Sequence, residues 1–333
     1  MFGAPMPAVV TFGEIMLRLT PPGCQRFAQA PCFEITFGGA EANVAVTLAQ
    51  LGAPADFVTR LPENEIAQRA IDELRGLGVG VDKIRRGGDR MGVYFLETGA
   101  SQRSGKVIYD RAHSALAEAK PGDFDWETIF RGAAWFHWSG ITPALSGSAA
   151  ALTAEACAAA RRLGLQVSFD MNFRAKLWTT GQAHTVLAPL MPHVDLCCIG
   201  SAEARQVFGI EGASEAEIAA GLMARFGCKM IAMPQRSAAS ASQTGWGATL
   251  FSAGNALASR RYEITIVDRV GAGDSFTGAL LFSLRRGDDL QRAIDFAVAA
   301  SCLKHTIPGD YNLVSLAEVE ALAGGGDGGR VQR

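Results

Sequence analysis

The chain has 333 residues, 48% of them hydrophobic, and a formal net charge of −2 at pH 7. This length and composition suffice for one large core or two modest ones, as in an ordinary globular protein. The basic residues are scattered apart from short pairs such as Arg85-Arg86, which argues against a nucleic-acid or anionic-lipid surface and makes a small molecule the expected partner.

The first 112 residues combine helical patterns with strands that no helix separates. Helices are predicted over 38–53 and 63–79, where apolar residues recur at helical spacing. The segments "FEITF", "RMGVYFLET" and "GKVIYDR" are typical of strands. Because several of these strands end in polar or aromatic residues that suit a ligand, we interpret them as an antiparallel flap inserted into an α/β domain. Extra edge strands of the main sheet are the alternative.

From about residue 130, short β-rich segments alternate with helical patterns. Strands are predicted in "AAWFHWSG", "LQVSFD", "VDLCCIG" and "KMIAMP", and helical patterns cover 146–163, 182–190 and 202–226. This alternation predicts βαβ units, and hence a parallel sheet with helices on both faces. Right-handed crossovers place the C-terminal ends of the strands at one edge, where such sheets bind ligands.

A further helix is predicted to begin within "VDRVGAGDSF" (267–276). The segment 261–270 alternates like a strand, and the apolar residues that follow the glycines share one helical face. The first turn of a helix has backbone N–H groups without partners, and residues with little or no side chain let an anion approach them. Gly271, Ala272 and Gly273 therefore predict an anion hole.

Asp274 directly follows the predicted anion hole and has two interpretations. A carboxylate at a helix start is commonly a cap that accepts a backbone N–H. Beside a bound phosphate, however, its charge is repelled, which is a cost without benefit unless the group has a chemical role. Removing the proton from a hydroxyl nucleophile is such a role, so Asp274 is a candidate general base.

Competing phosphate and catalytic motifs are missing from the sequence. The nearest approach to a P-loop, "GCKM", has Met230 where a magnesium-binding hydroxyl is required. "GAGDSF" has Phe276 where a dinucleotide fingerprint needs its third glycine, so a nicotinamide-dependent dehydrogenase is only a weak alternative. The five histidines are dispersed, and we interpret them as structural.

The cysteines and the N-terminus bear on the compartment. The seven cysteines show neither C-x-x-C nor C-x-x-H spacing, which predicts no disulfide framework and no zinc site. The N-terminus has no basic region leading into an apolar stretch, and no window approaches the ~20 apolar residues that cross a bilayer. We therefore expect a cytoplasmic protein with no membrane partner.

Two separated motifs carry a resemblance to a known family. "FGGAEANVAVTLAQLG" (37–52) and "DRVGAGDSFTGALL" (268–281) are similar to the two signatures of the ribokinase-like (PfkB) carbohydrate kinases. The resemblance implies a three-layer α/β/α domain over 1–322, with a mainly parallel central sheet and a small β-sheet lid formed by segments about 14–38 and 88–112. The low apolar content of 323–333 predicts a flexible tail.

The resemblance also implies the cofactors and the reaction. They are ATP and Mg²⁺, with a monovalent cation as a further candidate. Asp274 would take the proton from the sugar hydroxyl, while the amides of Gly271–Gly273 hold the γ-phosphate. The open edges of the flap suggest a homo-oligomer, a dimer or higher, that pairs through the lid.

Within this family the resemblance is closest to the kinases of 2-keto-3-deoxygluconate, through "YDRAHSALAE", "SGITPAL" and "SFDMNFRAKLW". A sugar acid has a carboxylate, which favours the planar, permanently charged fork of an arginine. Arg111 and Arg174 both lie at predicted strand ends. Surface pairing with Asp110 and Asp170 is the alternative for these two arginines.

By the resemblance, the residues around the sugar acid are Gly39, Tyr94, Tyr109, Arg111, Arg174 and Asp274. Tyr94 and Tyr109 have a second interpretation as core aromatics. Asn43 belongs to the matched N-terminal motif and either reaches a substrate hydroxyl or caps a helix.

The sequence departs from the family pattern on the nucleotide side. "GSAE" supplies Glu203 but has Gly200 in place of the usual asparagine, so magnesium contact is expected through water. In "MPQRSAASASQTGWG", Arg236 is present without the glycine turn that many relatives have beside the nucleotide. Lys304, in "KHTIPGDY", is expected to border the adenine by its position after the signature helix.

These observations together predict a sugar-acid kinase, a phosphotransferase with an alcohol group as acceptor. The expected reaction is ATP-dependent phosphorylation of the terminal hydroxyl of 2-keto-3-deoxygluconate to 2-keto-3-deoxy-6-phosphogluconate, under a closed lid. By the resemblance, the product feeds an Entner–Doudoroff-type acid catabolism. The alternatives are a kinase for fructose or a related keto acid and, more weakly, a non-catalytic sugar-binding module. The gluco and galacto acids are not distinguished at this level.

Overall fold

A central nine-stranded sheet organises the part of the protein described by a computed structural model, residues 7–238 and 240–326. Its strands are β1 (Ala8–Phe12), β4 (Ala55–Val58), β9 (Ala133–Ser139), β10 (Gln166–Asp170), β11 (Leu196–Cys198), β12 (Met230–Ala238), β13 (Gln243–Ser252), β14 (Asn255–Ala258) and β15 (Tyr262–Thr265). Their order is β14-β13-β12-β11-β10-β9-β1-β4, with β15 beside β13. All pairs from β12 to β4 are parallel, whereas β13 is antiparallel to its neighbours. The predicted mainly parallel sheet is confirmed.

Ten helices of the described chain cover the two faces of this sheet. They are α1 (Ala40–Gln50), α2 (Glu65–Gly76), α3 (Trp126–Ile129), α4 (Gly147–Arg162), α5 (Thr180–Leu187), α6 (Ser201–Phe208), α7 (Glu215–Phe226), α8 (Ala272–Arg286), α9 (Leu290–Lys304) and α10 (Leu316–Ala323). One core cluster packs α1, α2, α8, α9 and α10 on one face, and a second packs α3 to α7 on the other. Neighbouring residues of β1 pack on opposite faces of the sheet: Val9 belongs to the first cluster and Val10 to the second. This is the predicted α/β/α layering.

A separate four-stranded sheet covers one end of the domain. Its strands are β2 (Met16–Thr20), β3 (Glu34–Gly38), β7 (Gly92–Glu97) and β8 (Lys106–Asp110), in the order β3-β2-β7-β8. The predicted flap is thus a distinct sheet and not an extension of the main one. It is wrong as a purely antiparallel flap, because the central pair β2–β7 is parallel and β2 itself was not predicted. Two further short strands, β5 (Arg60–Leu61) and β6 (Arg85–Arg86), form a parallel pair of their own.

Two predicted elements differ from the structure. The pattern over 202–226 is two helices, because Gly209 ends α6 in the left-handed conformation (φ +63°) and Ser214 caps α7. The strand predicted over 261–270 ends at Thr265, and the N–H groups of Val267 and Asp268 instead donate to the carbonyl of His305. On the nucleotide side, where the sequence lacks the glycine turn of the family, β12 and β13 pair as a long hairpin.

Two further expectations concern the chain as a whole. All seven cysteines are free thiols in the structure. Within residues 7–238 and 240–326, none of the helices combines the length and apolarity that a membrane crossing requires. The predicted flexible tail lies outside the described residues from residue 327 onward.

Candidate active site

A cavity of about 600 Å³ lies between the small sheet, the C-terminal ends of the parallel strands and the start of α8. It brings together most of the residues predicted for the site. Those on its wall are Gly39, Asn43, Tyr94, Tyr109, Arg111, Arg174, Glu203, Arg236, Gly271, Gly273 and Asp274. Of the predicted set, Ala272 and Lys304 do not line the cavity, and both are fully buried, with 0% exposure.

The start of α8 has the geometry of an anion hole. Gly271 adopts φ +80°, and a Cβ placed on it would lie 1.9 Å from the carbonyl oxygen of Asp310, so glycine is required. No protein partner is recorded for the N–H groups of Gly273 and Asp274 in the part of the chain that the structure describes. A Cβ on Gly273 would meet nothing closer than Arg236 Nη2, at 4.0 Å. This first turn therefore has free donors and open space in front of them.

Asp274 is a buried carboxylate held by two asparagine side chains. Asn43 Nδ2 donates to its Oδ2 at 2.6 Å, and Asn172 Nδ2 to its Oδ1 at 3.4 Å. Burial raises the pKa of Asp274 to about 7, against the hydrogen bond from Asn43, and nearby Asp170 raises it further. Helix α8 has no side-chain cap, so the carboxylate is not the simple helix cap that the sequence left open. A pKa near neutrality suits proton removal.

Asn43 and Gly39 place α1 against Asp274. Asn43 Oδ1 accepts the N–H of Gly39 at 3.3 Å, while its amide nitrogen donates to Asp274. The side chain of Asn43 thus bonds both to the residue that precedes α1 and to Asp274. A Cβ on Gly39 would lie 1.9 Å from the carbonyl oxygen of Glu14, so the close approach of the two segments needs glycine.

Two more carboxylates near Asp274 were not predicted. Asp170 Oδ2 accepts from Thr277 at 3.2 Å, and burial raises the pKa of Asp170 to about 6. Glu41 accepts from Ser139 and Thr142, and burial raises its pKa as well. These acids favour a shared proton or an incoming cation, since ionising all of them together is costly.

Arg111 is at the cavity, but it is not free. Its Nε donates to Glu14 Oε2 at 2.8 Å, and Nη2 contacts the same oxygen. The alternative pairing with Asp110 is wrong, because Asp110 pairs with Arg90 at 2.8 Å. A ligand would therefore meet Arg111 through its remaining N–H groups.

Arg174 presents a cation without a carboxylate partner among the residues described. Its Nη1 donates only to the carbonyls of Asn172 and Phe173, at 3.3 and 3.2 Å. No ion pair within 4.0 Å joins it to Asp170 in the described chain, but its charge opposes the rise in the pKa of both Asp170 and Asp274. Tyr109, beside it on the wall, lies under the side chains of Arg111 and Lys176.

Tyr94 uses its hydroxyl within the protein. It donates to the carboxylate of Asp310, at 2.6 and 2.7 Å from the two oxygens. Arg18 on β2 pairs with Asp310 at 2.7 Å and with Asp268 at 2.5 Å. Asp310 lines the cavity and links the small sheet to the loop of Gly271, yet it was missed because it stands in no recognisable spacing.

Arg236 lies across the mouth of the anion hole. Its guanidinium stacks on the ring of Trp246, with Cζ 4.8 Å from the ring centroid, and faces Gly273. No ion pair or side-chain hydrogen bond of Arg236 is found in the described parts of the chain. A stacked guanidinium with unused donors is suited to binding an anion.

Glu203 and Gly200 also lie on the cavity wall. A Cβ on Gly200 would meet Glu203 Oε2 at 2.3 Å, so the carboxylate takes the space that a side chain at 200 would need. Across residues 7–238 and 240–326, no three His, Cys, Asp or Glu side chains form a set that could hold a metal ion.

Lys304 is not at the cavity, contrary to its expected position beside the adenine. Its ammonium points into the core and donates to the carbonyl of Ile307 at 3.1 Å. The cause is its place on the last turn of α9, whose inner face packs against α8 and the main sheet.

Comparison with known proteins gives concordant results. A model described as "pfkB family carbohydrate kinase" matches residues 6–315. The 2-dehydro-3-deoxygalactonokinase of Haloferax volcanii is 34% identical over 322 residues, covering 96% of this chain and 98% of the relative. The 2-dehydro-3-deoxygluconokinase of Thermoproteus tenax is 29% identical, covering 95% and 94%. A crystal structure of 2-dehydro-3-deoxygluconokinase from Thermotoga maritima is similar with a TM-score of 0.94 and 49% identity, covering 96% and 99%.

Proposed function

Because the chain belongs to the pfkB family of carbohydrate kinases and is a sugar kinase, we propose that it phosphorylates 2-keto-3-deoxygluconate at its terminal hydroxyl with ATP. The compound is the substrate that the name 2-dehydro-3-deoxygluconokinase denotes. The observation that carries the proposal is Arg174, a cavity cation with no carboxylate partner among the described residues, in the same cavity as Asp274. A sugar acid brings a carboxylate that the free donors of this guanidinium can bind, whereas a neutral sugar brings none.

The geometry of the cavity suggests a path for the proton and for the phosphoryl group. Asp274 takes the proton of the terminal hydroxyl as the oxygen attacks the γ-phosphorus, and ADP leaves with the bridging oxygen. The N–H groups of Gly273 and Asp274 stabilise the transferring group from one side, with Gly271 and Ala272 shaping the turn. Arg236, stacked on Trp246, stabilises it from the other side.

The residues of this site would suit a magnesium ion that the protein contacts through water. The described residues offer no protein cage, so the ion would be held by nucleotide phosphate oxygens and water, with Glu203 holding one of the waters. It would neutralise phosphate charge there. ATP itself fits between the β12–β13 hairpin and the start of α8, where Arg236 and the free amides face one space.

The sugar is proposed to bind under the small sheet. Its carboxylate would meet Arg174 and the unused N–H groups of Arg111, and its hydroxyls would meet Tyr109, Asn43 and the Gly39 backbone. Tyr94 would act through Asp310, because its own hydroxyl is already bonded there. The lid segments about 14–38 and 88–112 belong to one domain over 1–322, which we propose works in the cytoplasm.

A substrate panel at fixed ATP tests the proposal, with 2-keto-3-deoxygluconate, its galacto epimer, fructose and ribose. Arg174→Ala should lower kcat/KM for the acids by roughly 10- to 150-fold, the value of a charged hydrogen bond, and leave the weak fructose rate unchanged. Arg205→Ala, a helix-α6 arginine that donates to Gly212, is the matched control. Preferred turnover of fructose, or an equal loss for acid and fructose, would refute the acid specificity.

The galacto acid is a second candidate, favoured by the name of the Haloferax volcanii relative. The two acids differ in the direction of one hydroxyl, and both have the carboxylate that Arg174 would bind. A kcat/KM ratio between the epimers above about tenfold assigns the substrate; a ratio near one indicates an enzyme that accepts both.

The small sheet also supports the proposal of a homo-oligomer. An apolar row, Ile35, Leu19, Phe95 and Ile108, crosses its four strands in register on the face opposite Tyr94 and Tyr109. Ile35 and Ile108 are exposed by 44% and 53%. A second copy that places the same row on it would bury both surfaces. Sedimentation of Ile108→Arg should give a smaller species than the wild type; an unchanged mass would exclude this interface.

A further inference from the structure

Lys304 is a fully buried ammonium without an ion pair among the residues described. Its Nζ donates to the carbonyl of Ile307 at 3.1 Å and lies 3.5 Å from the carbonyl of Asp268. Burial lowers its pKa, and the neighbouring carboxylates of Asp268 and Asp310 oppose that shift. A lysine is seldom enclosed in this way without a role for its charge.

The two carbonyls belong to the two loops that form the base of the anion hole. The loop of Asp268 leads directly into Gly271, and Asp268 Oδ1 accepts the N–H of Val270 at 3.0 Å. Its Oδ2 accepts the N–H of Gly309 at 3.1 Å, from the loop that follows Lys304. Asp310, in that same loop, has its carbonyl against Gly271. The ammonium therefore joins the backbone segments that set the position of the first turn of α8.

Asp268, Asp310 and Asp274 all act on the charge of Lys304, and the first two belong to the junction itself. Asp268 and Asp310 contribute two buried carboxylates, and Arg18 pairs with both. Arg18 neutralises only one of them, so Lys304 supplies the second positive charge. Without it a net negative charge would lie directly behind the donors that are to receive a phosphoryl group, in a region where charges are poorly screened.

We propose that Lys304 is a positioning residue, a tethered cation that fixes the two loops and cancels the second carboxylate behind the anion hole. Backbone carbonyls are the ligands that a free monovalent cation takes in proteins. Among the described residues, the carbonyls around Lys304 bind its ammonium in place of a free cation, so a dissociable ion is not needed there. The monovalent cation that the sequence suggested as a cofactor is thus replaced by a residue of the chain. This inference rests on the proposed anion hole.

The first test uses the wild type alone. Activity is measured with tetramethylammonium, Na⁺, K⁺ or NH₄⁺ as the monovalent cation at constant ionic strength, with whichever sugar of the panel is phosphorylated. We expect kcat to vary less than twofold. A K⁺ requirement of fivefold or more would overturn the inference, because a free cation would then do what is assigned to Lys304.

The second test removes the charge. Lys304→Met keeps the bulk of the side chain, Lys304→Ala leaves room for a small cation, and Lys229→Met, an exposed lysine paired with Asp195, is the control. Lys304→Met should lower kcat and ATP affinity, measured by calorimetry, by about tenfold or more, with sugar KM within twofold. Lys304→Ala should regain activity on addition of NH₄⁺ or methylammonium, while the control is unaffected.

The outcomes separate this inference from the proposed function. Lys304→Met with wild-type kcat, or a parallel loss of sugar affinity, ATP affinity and melting temperature with no rescue of Lys304→Ala, assigns the residue to packing alone and overturns the proposal. A wild type that binds no ATP, or that phosphorylates no sugar acid, refutes the proposed function instead. If neither variant folds, the cation dependence of the wild type still decides.

Discussion

Asp274→Asn changes one atom of the proposed base and is expected to separate catalysis from stability. The amide keeps the size of the side chain and can still accept from Asn43, which donates to Oδ2 at 2.6 Å in the wild type. It cannot take a proton from a hydroxyl. General-base catalysis contributes roughly 10²- to 10⁴-fold, so kcat should fall by that factor with sugar affinity largely retained.

The same substitution should stabilise the folded protein. The pKa of Asp274 is raised from 3.8 to about 7, so the folded chain binds this proton more tightly than the unfolded chain. The stabilising contribution is complete below pH ~4 and is lost as pH rises towards 7. At pH 8 the wild type has lost this contribution entirely, whereas the Asn variant has no charge at this position. The free energy of unfolding of the variant should therefore exceed that of the wild type by on the order of 4 kcal/mol at most. Urea unfolding at pH 5 and pH 8 measures it.

The pH profile of the wild type provides an independent check. With a pKa of about 7, only about a tenth of Asp274 is ionised at pH 6, so kcat/KM should rise about tenfold per pH unit below neutrality and level off above pH ~8. ADP release in a coupled assay, with sugar binding by calorimetry, gives both readouts. Asp274→Asn with more than a tenth of wild-type kcat, or with lower stability at pH 8, would refute the reasoning.

Two further substitutions test the parts around Asp274. Gly271→Ala forces a side chain into φ +80° and to 1.9 Å from the Asp310 carbonyl. The free energy of unfolding in urea should therefore fall by at least about 1–2 kcal/mol, and kcat should fall as well. Gly287→Ala, at φ +87° with open space around it, is the control that isolates the conformational cost. Arg236→Met should lower kcat by roughly 10²-fold with sugar KM unchanged, since the transferring group loses one donor. A loss confined to sugar KM would contradict this placement.

The local parts of the site could be predicted from the sequence. The proposed anion hole follows from adjacent small residues at a helix start, and the proposed general base is the next residue along, so neither prediction depends on long-range packing. The layers of the main domain follow equally from periodicity. What failed locally had a visible cause: Gly209 and Ser214 mark the break in the predicted helix over 202–226.

The long-range parts could not be predicted in this way. Asn43 and Asp274 are 231 positions apart, and Arg111 and Glu14 are 97 apart, so only the folded chain reveals that each pair is in contact. Lys304 was assigned to the cavity by its distance along the sequence from the signature helix. Its actual direction depends on which face of α9 packs inward, and an apolar helix such as this gives little contrast between its faces.

Four glycines around the site leave no room for a side chain, and this has a consequence for engineering. A Cβ on Gly13 would meet Glu41, one on Gly38 would meet Asp310, and those on Gly39 and Gly271 would meet backbone oxygens within 2 Å. Mutagenesis libraries that randomise these glycines would therefore yield mostly inactive clones. Diversity intended to change the accepted sugar is better placed at Tyr109 and Arg174, which line the cavity.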